Sequence, residues 1–161
     1  MKNKENGMEF TDREKILKDI TVNCIAARIR VMDRAVSAIY NKAVRPHGLK
    51  ITQMNIIVVV SAYGPIEVKP LCRILNMDSS TMSRAVTRIE KQGYLKIEPS
   101  GQGKNHVISV TNEGMNLLQR AYPDWKLAEK EATDLLGQET VSAIRGAGDK
   151  MLLAAMTNFS D

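Results

Sequence analysis

The chain has 161 residues, of which 43% are hydrophobic and 25% charged, and these values are typical of one globular domain. Its formal net charge of +5, from 23 lysines and arginines against 18 aspartates and glutamates, permits a polyanionic partner. Two cysteines and two histidines are too few for a disulfide framework or a clustered zinc site, so we expect no metal and no cofactor.

The sequence contains no stretch that is typical of a signal peptide or a membrane span. Residues 1–9 are mostly polar, and unbroken apolar runs such as Ile56–Val60 are far shorter than a membrane span. We therefore expect a cytoplasmic protein that does not bind membranes.

The first predicted element is a long helix from Thr11 to about Arg45, which ends before Pro46 and Gly48. Apolar residues recur at helical spacing along two neighbouring stripes of this helix. One stripe is Ile16, Ile20, Cys24, Ala27, Val31, Ala35 and Ile39, and the other is Leu17, Ile25, Ile29, Met32, Val36 and Tyr40. A domain of this size has little else to cover both stripes, so they predict a second copy of the chain as partner.

Further along the chain, helices are predicted on both sides of one hairpin. A central apolar helix from Gln53 to Tyr63 is capped by Thr52; its β-branched residues would also allow a strand, but the Gly64-Pro65 stop favours a helix. The other predicted elements are helices at Val68–Asn76 and Ser79–Gln92, strands at Tyr94–Glu98 and His106–Val110, a helix from Asn112 to about Asp134 capped by Thr111, and a last helix toward Phe159.

A short helix, a turn, a second helix and a hairpin in this order form a winged helix-turn-helix, whose second helix enters the major groove of DNA. We therefore predict a mainly α fold with a small β-hairpin wing. Residues 1–161 form a single domain in this interpretation, with a DNA-binding lobe at about 50–111 and dimerisation helices at about 11–45 and 112–161.

The predicted second helix has two chemically different faces. Met82, Ala85, Val86 and Ile89 form an apolar stripe, which leaves hydroxyls and cations on the opposite face. Hydroxyls donate to phosphate oxygens and arginine bridges a guanine edge, so this face predicts DNA binding. The candidate residues are Ser79, Ser80, Thr81, Ser83, Arg84, Thr87, Arg88 and Lys91. A solvated face, or a winged-helix module that binds a protein instead of DNA, is the alternative.

Four runs of residues, in this order and spacing, resemble the MarR family of bacterial transcription regulators. They are Gly48–Gln53, Pro70–Arg84, Ile89–Leu95 and Val110–Gly114. The resemblance implies a homodimer with interlocked terminal helices, double-stranded DNA with a pseudo-palindromic operator as partner, and action as a repressor. It also implies modulation by a small-molecule effector, whose identity the sequence does not give, or by thiol oxidation. No catalytic constellation is present in the sequence, so we expect no enzymatic activity.

The wing departs from the pattern of the family that it resembles. That family usually carries Asp-x-Arg before the last strand, whereas this chain has Gln102-Gly103-Lys104. Lysine lacks the planar fork of arginine, so we expect the wing to attract phosphates more than to read the minor groove. The candidate wing residues are Gln102, Lys104, Asn105 and His106.

The two cysteines have different predicted roles. Cys72 occupies a position where the family that it resembles places a small packed residue, so we expect it to be buried and inert. Cys24 lies about where peroxide-sensing relatives carry a reactive thiol, and Arg28 one turn on would lower its pKa. Of the two tyrosines that bond the thiolate in those relatives, one matches Tyr40 only after a two-residue shift and the other falls on Ile51. Cys24 is therefore either a redox sensor or a core thiol.

Overall fold

The computed structural model describes residues 6–100 and 106–157, with side chains from residue 12 to residue 156. Its helices are α1 (Asn6–Asn23), α2 (Ile25–Val44), α3 (Ile51–Tyr63), α4 (Val68–Ile74), α5 (Ser79–Lys91), α6 (Asn112–Leu136) and α7 (Gln138–Thr157). The strands are β1 (Ile66–Glu67), β2 (Leu95–Pro99) and β3 (His106–Val110), and a 3-10 turn spans Arg45–His47. This element order confirms the predicted winged helix-turn-helix, a mainly α fold with a small sheet. None of the helices in these described ranges is long and apolar enough to cross a bilayer.

The chain divides into two compact units between Ala38 and Ile39. The first contains α1 and most of α2, and the prediction of one unbroken helix is wrong at Cys24, which lies between them. The interruption is local, because the Cys24 amide still donates to the Ile20 carbonyl at 3.1 Å and the Arg28 amide to the Cys24 carbonyl at 3.3 Å. Large apolar side chains of this unit are more than half exposed, namely Ile16, Leu17, Ile20, Val22, Ile25, Ile29 and Val31.

The core of the second unit is built around α3, which contacts α4, α5, α6 and β3. The prediction of a central helix is confirmed, because Ile56, Ile57 and Val60 are each at most 1% exposed. Other fully buried residues of this core are Val44, Leu71, Met82, Val86, Ile89, Ile108 and Leu117. Burial of these side chains is the main force that fixes the helix-turn-helix against the sheet.

The start of α3 differs from the prediction that Thr52 caps it. The helix begins at Ile51, and the residue before it, Lys50, has extended backbone angles. The Gln53 side chain accepts a hydrogen bond from the Lys50 amide at 2.9 Å, and the Asn41 side chain accepts one from the Ile51 amide at 2.9 Å. Two amides at this helix start are therefore paired by side chains other than Thr52.

The sheet has the order β1-β3-β2 and is antiparallel throughout. In its register Leu95 pairs with Val110, Ile97 with Ile108 and Pro99 with His106. The two residues of β1 were not predicted, because a segment that short shows no alternation. The prediction that β2 starts at Tyr94 is wrong by one residue. The Tyr94 amide instead donates to the Ile89 carbonyl at 3.2 Å and closes the end of α5 behind Gly93, whose φ is 82°.

Thr111 caps α6 as predicted and also ties α6 to the end of α5. Its hydroxyl accepts from the Gly114 amide at 3.0 Å and donates to the Gly93 carbonyl at 2.7 Å. Gly114 itself leaves no room for a side chain, because a Cβ there would lie 2.3 Å from the Tyr94 carbonyl oxygen. These contacts fix the orientation of α5 relative to α6 within the second unit.

Candidate nucleic-acid interface

Helix α5 has one buried face and one exposed face, as predicted. Met82, Val86 and Ile89 are at most 1% exposed and belong to the core. The opposite side, which we call the outer face of α5, consists of Ser79, Ser80, Thr81, Ser83, Arg84, Thr87, Arg88 and Lys91, and all eight are exposed. The structure thus brings the predicted helix residues onto one surface of about 20 Å length, which a 13-residue helix provides at 1.5 Å rise per residue.

The start of the outer face is organised by Asp78, which was not among the predicted site residues. Its Oδ1 atom accepts hydrogen bonds from the Ser80 hydroxyl at 2.7 Å and from the Thr81 amide at 2.8 Å. These hydrogen bonds, with the one to Ser80 foremost, hold the pKa of Asp78 well below its usual value. An aspartate directly before Ser-Ser-Thr at a helix start is a typical N-cap pattern, so the sequence did carry this signal.

Arginine and threonine side chains on the outer face also make local hydrogen bonds. The Arg84 Nε atom donates to the Ser80 carbonyl at 3.1 Å, which lays the guanidinium over the first turn of α5. The Thr87 hydroxyl donates to the Ser83 carbonyl at 2.9 Å. Within the described ranges, no carboxylate forms an ion pair with Arg84, Arg88 or Lys91. Their charges are therefore available to an anionic partner.

A groove beside the C-terminal end of α5 adds cations that the sequence argument missed. It has a volume of about 610 Å³ and is lined by Asn41, Arg45, Gly48, Leu49, Lys50, Gln53, Arg88 and Gln92. We call it the basic groove, since Arg45, Lys50 and Arg88 supply three positive charges and none of its lining residues is acidic. Gln53 at its floor is 9% exposed and donates from Nε2 to the Gln92 Oε1 atom at 3.4 Å. The local sequence around Pro46 does not predict that Arg45 and Lys50 line the same groove as Arg88.

Most of the predicted wing residues lie outside the described residues. This applies to Gln102, Lys104 and Asn105, whereas His106 is the exposed first residue of β3, opposite Pro99. On the neighbouring strand, Lys96 pairs with Glu98 at 2.7 Å. The assignment of these residues to DNA contact therefore stays a prediction.

The two cysteines are both partly buried and unpaired. Cys72 packs against the core, and burial, followed by the charge of Asp78, raises the pKa of its thiol above the usual value. The prediction that Cys72 is buried is wrong in part, because its side chain is only partly covered by the core, and its inert role stays a prediction. At the other cysteine, the Arg28 guanidinium donates to the carbonyls of Thr21 at 3.4 Å and Cys24 at 3.3 Å.

The tyrosine that the sequence matched to a thiolate partner has another role in the second unit. Burial and a hydrogen bond to the Glu129 carboxylate raise the pKa of Tyr40 above its usual value. Arg145 donates to the other oxygen of Glu129 at 2.6 Å, and the ring centroids of Trp125 and Tyr40 are 6.3 Å apart. The hydroxyl proton of Tyr40 is therefore held by Glu129. Over the described part of the chain, no cluster of three or more His, Cys, Asp or Glu side chains is arranged to hold a metal ion.

Comparisons with known proteins identify relatives of this chain. A model of the MarR family matches residues 47–104, which include the whole outer face of α5 and Lys50 of the basic groove. An uncharacterized HTH-type transcriptional regulator of Bacillus cereus is 29% identical over 119 residues, which are 73% of this chain and 74% of that protein.

Solved structures with the same fold include two that contain DNA. A mutant MarR of E. coli complexed with operator DNA has a TM-score of 0.73 and 15% identity, over 83% of this chain and 97% of that chain. The M. tuberculosis regulator MosR in complex with DNA has a TM-score of 0.69 and 23% identity, over 80% and 96%. At these identities the likeness shows the fold.

Proposed function

We propose that this chain is a transcriptional regulator of the MarR type, which its similarity to that family supports, and that it acts in the cytoplasm as a homodimeric repressor that binds a pseudo-palindromic operator in duplex DNA. The observation that carries the proposal is the outer face of α5, where exposed hydroxyls and three unpaired cations lie along one helix. A helix of these dimensions fits the major groove, and structural neighbours have been solved with DNA bound.

Different parts of the surface contribute different interactions in this proposal. Arg84 and Arg88 reach base edges, since arginine forms two parallel hydrogen bonds with guanine. Lys91, together with Arg45 and Lys50 of the basic groove, neutralises phosphates of the DNA backbone, which sets affinity and register without reading sequence. The wing residues Gln102, Lys104, Asn105 and His106 contact a flanking stretch of the duplex, with Lys104 as a phosphate-attracting charge.

The proposed homodimer is supported by the apolar surface of the first unit. Side chains such as Ile20, Ile25 and Val31 are 58%, 72% and 68% exposed, and a monomer in water leaves them uncovered. Helix α7 adds Met151 and Leu153, which are 74% and 65% exposed. Exposed apolar surface of this extent is typical of protein interfaces, so we assign both regions to contact with a second copy. Two copies would present two recognition helices to a two-fold symmetric site.

We further propose that a small ligand or oxidation of Cys24 modulates DNA binding. Cys24 is partly buried at the junction of α1 and α2, so adding oxygen to its sulfur would enlarge a side chain within the region assigned to the dimer. Two relatives by fold illustrate both kinds of signal. One is an oxidised form of E. coli MarR, and the other is CouR of Rhodococcus jostii bound to p-coumaroyl-CoA.

Selection of bound duplexes from a random library tests the proposed function. We expect the purified protein to enrich a palindromic consensus with two half-sites about one helical turn, or a multiple of it, apart. A winged-helix module that binds only protein would enrich no sequence and would show no affinity for duplex even at low salt. That result would refute the proposal.

A further inference from the structure

Two hydroxyl groups on the outer face of α5, those of Ser80 and Thr87, already donate their protons to other groups of the protein. The Ser80 Oγ atom donates to the Asp78 carboxylate at 2.7 Å, and the Thr87 Oγ1 atom donates to the Ser83 carbonyl at 2.9 Å. A hydroxyl has one proton and two lone pairs, so each of these groups has only acceptor capacity left for a partner. The expectation that such hydroxyls donate to phosphate oxygens therefore does not fit Ser80 and Thr87.

Ser80 and Thr87, whose hydroxyl protons are already used, lie on either side of Arg84 along the helix. Ser80, Arg84 and Thr87 follow at spacings of four and three residues, so they lie on one face, with about 10 Å along the axis from Ser80 to Thr87. Arg84 donates from Nε to the Ser80 carbonyl at 3.1 Å and from Nη2 to the Ser80 and Thr81 hydroxyl oxygens at 3.5 Å, so Nη1 is the terminal nitrogen that remains to donate to a partner. The exposed surface thus presents an acceptor, a donor and an acceptor in succession.

Base edges in the major groove carry the complementary pattern. Adenine and cytosine present exocyclic amino donors, whereas guanine presents two acceptors. Phosphate oxygens accept only, so a hydroxyl without a free proton gains nothing from them. On the basis of the proposed DNA binding, we infer that Ser80 and Thr87 are specificity-determining acceptors for the amino groups of adenine or cytosine, and that Asp78 positions the Ser80 hydroxyl for this task.

Asp78 is suited to this positioning role because it stays ionised. The hydrogen bonds from Ser80 and Thr81 hold the pKa of its carboxyl well below the usual value, so the acceptor for the Ser80 proton persists across the neutral range. A hydrogen bond to a carboxylate is also stronger than one between neutral groups, which favours this orientation of the hydroxyl over donation to water. Asparagine at position 78 would keep an acceptor oxygen there, whereas alanine would remove it.

Base analogues that lack a single amino group test this inference. In an operator obtained by duplex selection, each adenine is replaced in turn by purine and each cytosine by 2-pyrimidinone, and affinities are measured by fluorescence anisotropy. For wild-type protein we expect an affinity loss of about fivefold at one or more positions, the size of one lost hydrogen bond. Ser80→Ala and Thr87→Val should each be insensitive to the analogue at one such position and should keep the wild-type response elsewhere.

The role of Asp78 is tested in the same assay. Asp78→Asn should keep the dependence on the amino group that Ser80→Ala loses, whereas Asp78→Ala should lose that dependence. A cap of purely structural importance would instead lower the affinity of Asp78→Ala equally for natural and analogue duplexes. The inference is overturned if Ser80→Ala and Thr87→Val respond to every analogue as wild type does. Absence of any duplex affinity in the wild type would refute the proposed function itself.

Discussion

The basic groove leads to a quantitative prediction about the salt dependence of DNA binding. Lys50 is exposed at its edge, and its side chain forms no ion pair with a described carboxylate. If it neutralises one phosphate in each protomer, the Lys50→Ala variant releases two fewer counterions per dimer. The logarithm of the binding constant falls by about 0.9 per neutralised phosphate for each unit of the logarithm of salt concentration. The slope of that plot should therefore be shallower by about 2 for the variant than for wild type.

The size of this effect is measurable over an ordinary salt range. A rise in salt from about 50 to about 200 mM weakens DNA binding by both proteins. With a slope change of that size, the variant should lose about tenfold less affinity than wild type over this range. The assay is a series of fluorescence anisotropy titrations with one labelled operator duplex at several salt concentrations. The substitution should leave the fold intact, because only the backbone amide of Lys50 takes part in the hydrogen bond to Gln53.

Lys130→Ala provides the matched control for the lost charge. Lys130 is exposed on α6 and already pairs with Asp134, so its removal should not change the salt slope. An unchanged slope for Lys50→Ala, or an equal change for both variants, would refute the assignment of the basic groove to the phosphate backbone.

Three further predictions concern the signal, the dimer and the packing of the lobe. Mild peroxide should abolish DNA binding of the wild type but not of Cys24→Ser in an anisotropy assay, and an equal response of both would exclude Cys24 as the sensor. Ile20→Glu places a charge on the exposed apolar surface of α1, so light scattering should show a mass near 17.9 kDa instead of twice that value, while Thr52→Glu on α3 should leave the dimer intact. Gly114→Ala should destabilise the protein by about 1 to 3 kcal/mol in denaturant unfolding, because the added Cβ meets the Tyr94 carbonyl at 2.3 Å. An unfolding free energy of Gly114→Ala equal to that of wild type would contradict the packing argument.

Local signals in the sequence were sufficient to predict the recognition helix. Ser79 starts α5 because Asp78 caps it, and the spacing of Met82, Val86 and Ile89 identifies the buried face. Gly93 marks the end of the helix because a positive φ is needed there. Each of these features depends on neighbours within one or two turns.

Features that depend on distant neighbours were not predictable in the same way. The basic groove joins Arg45 and Lys50 to Arg88, about 40 residues further along the chain, and no local pattern encodes that meeting. The cap of α3 was assigned to Thr52, whereas Gln53 and Asn41 provide the hydrogen bonds once the preceding turn is folded. The break at Cys24 leaves the helical hydrogen bonds in place, so it leaves no mark on the apolar periodicity.

Operator affinity of the Arg84→Ala variant tests most directly whether the outer face of α5 reads DNA. Arg84 lies in the middle of that face without a carboxylate partner among the described residues, so we expect binding to weaken by about 1 to 3 kcal/mol with relaxed preference at one base pair of each half-site. Arg120→Ala, which removes an arginine paired with Glu113 on α6, should bind as wild type does. Unchanged affinity of a folded Arg84→Ala protein would contradict the account.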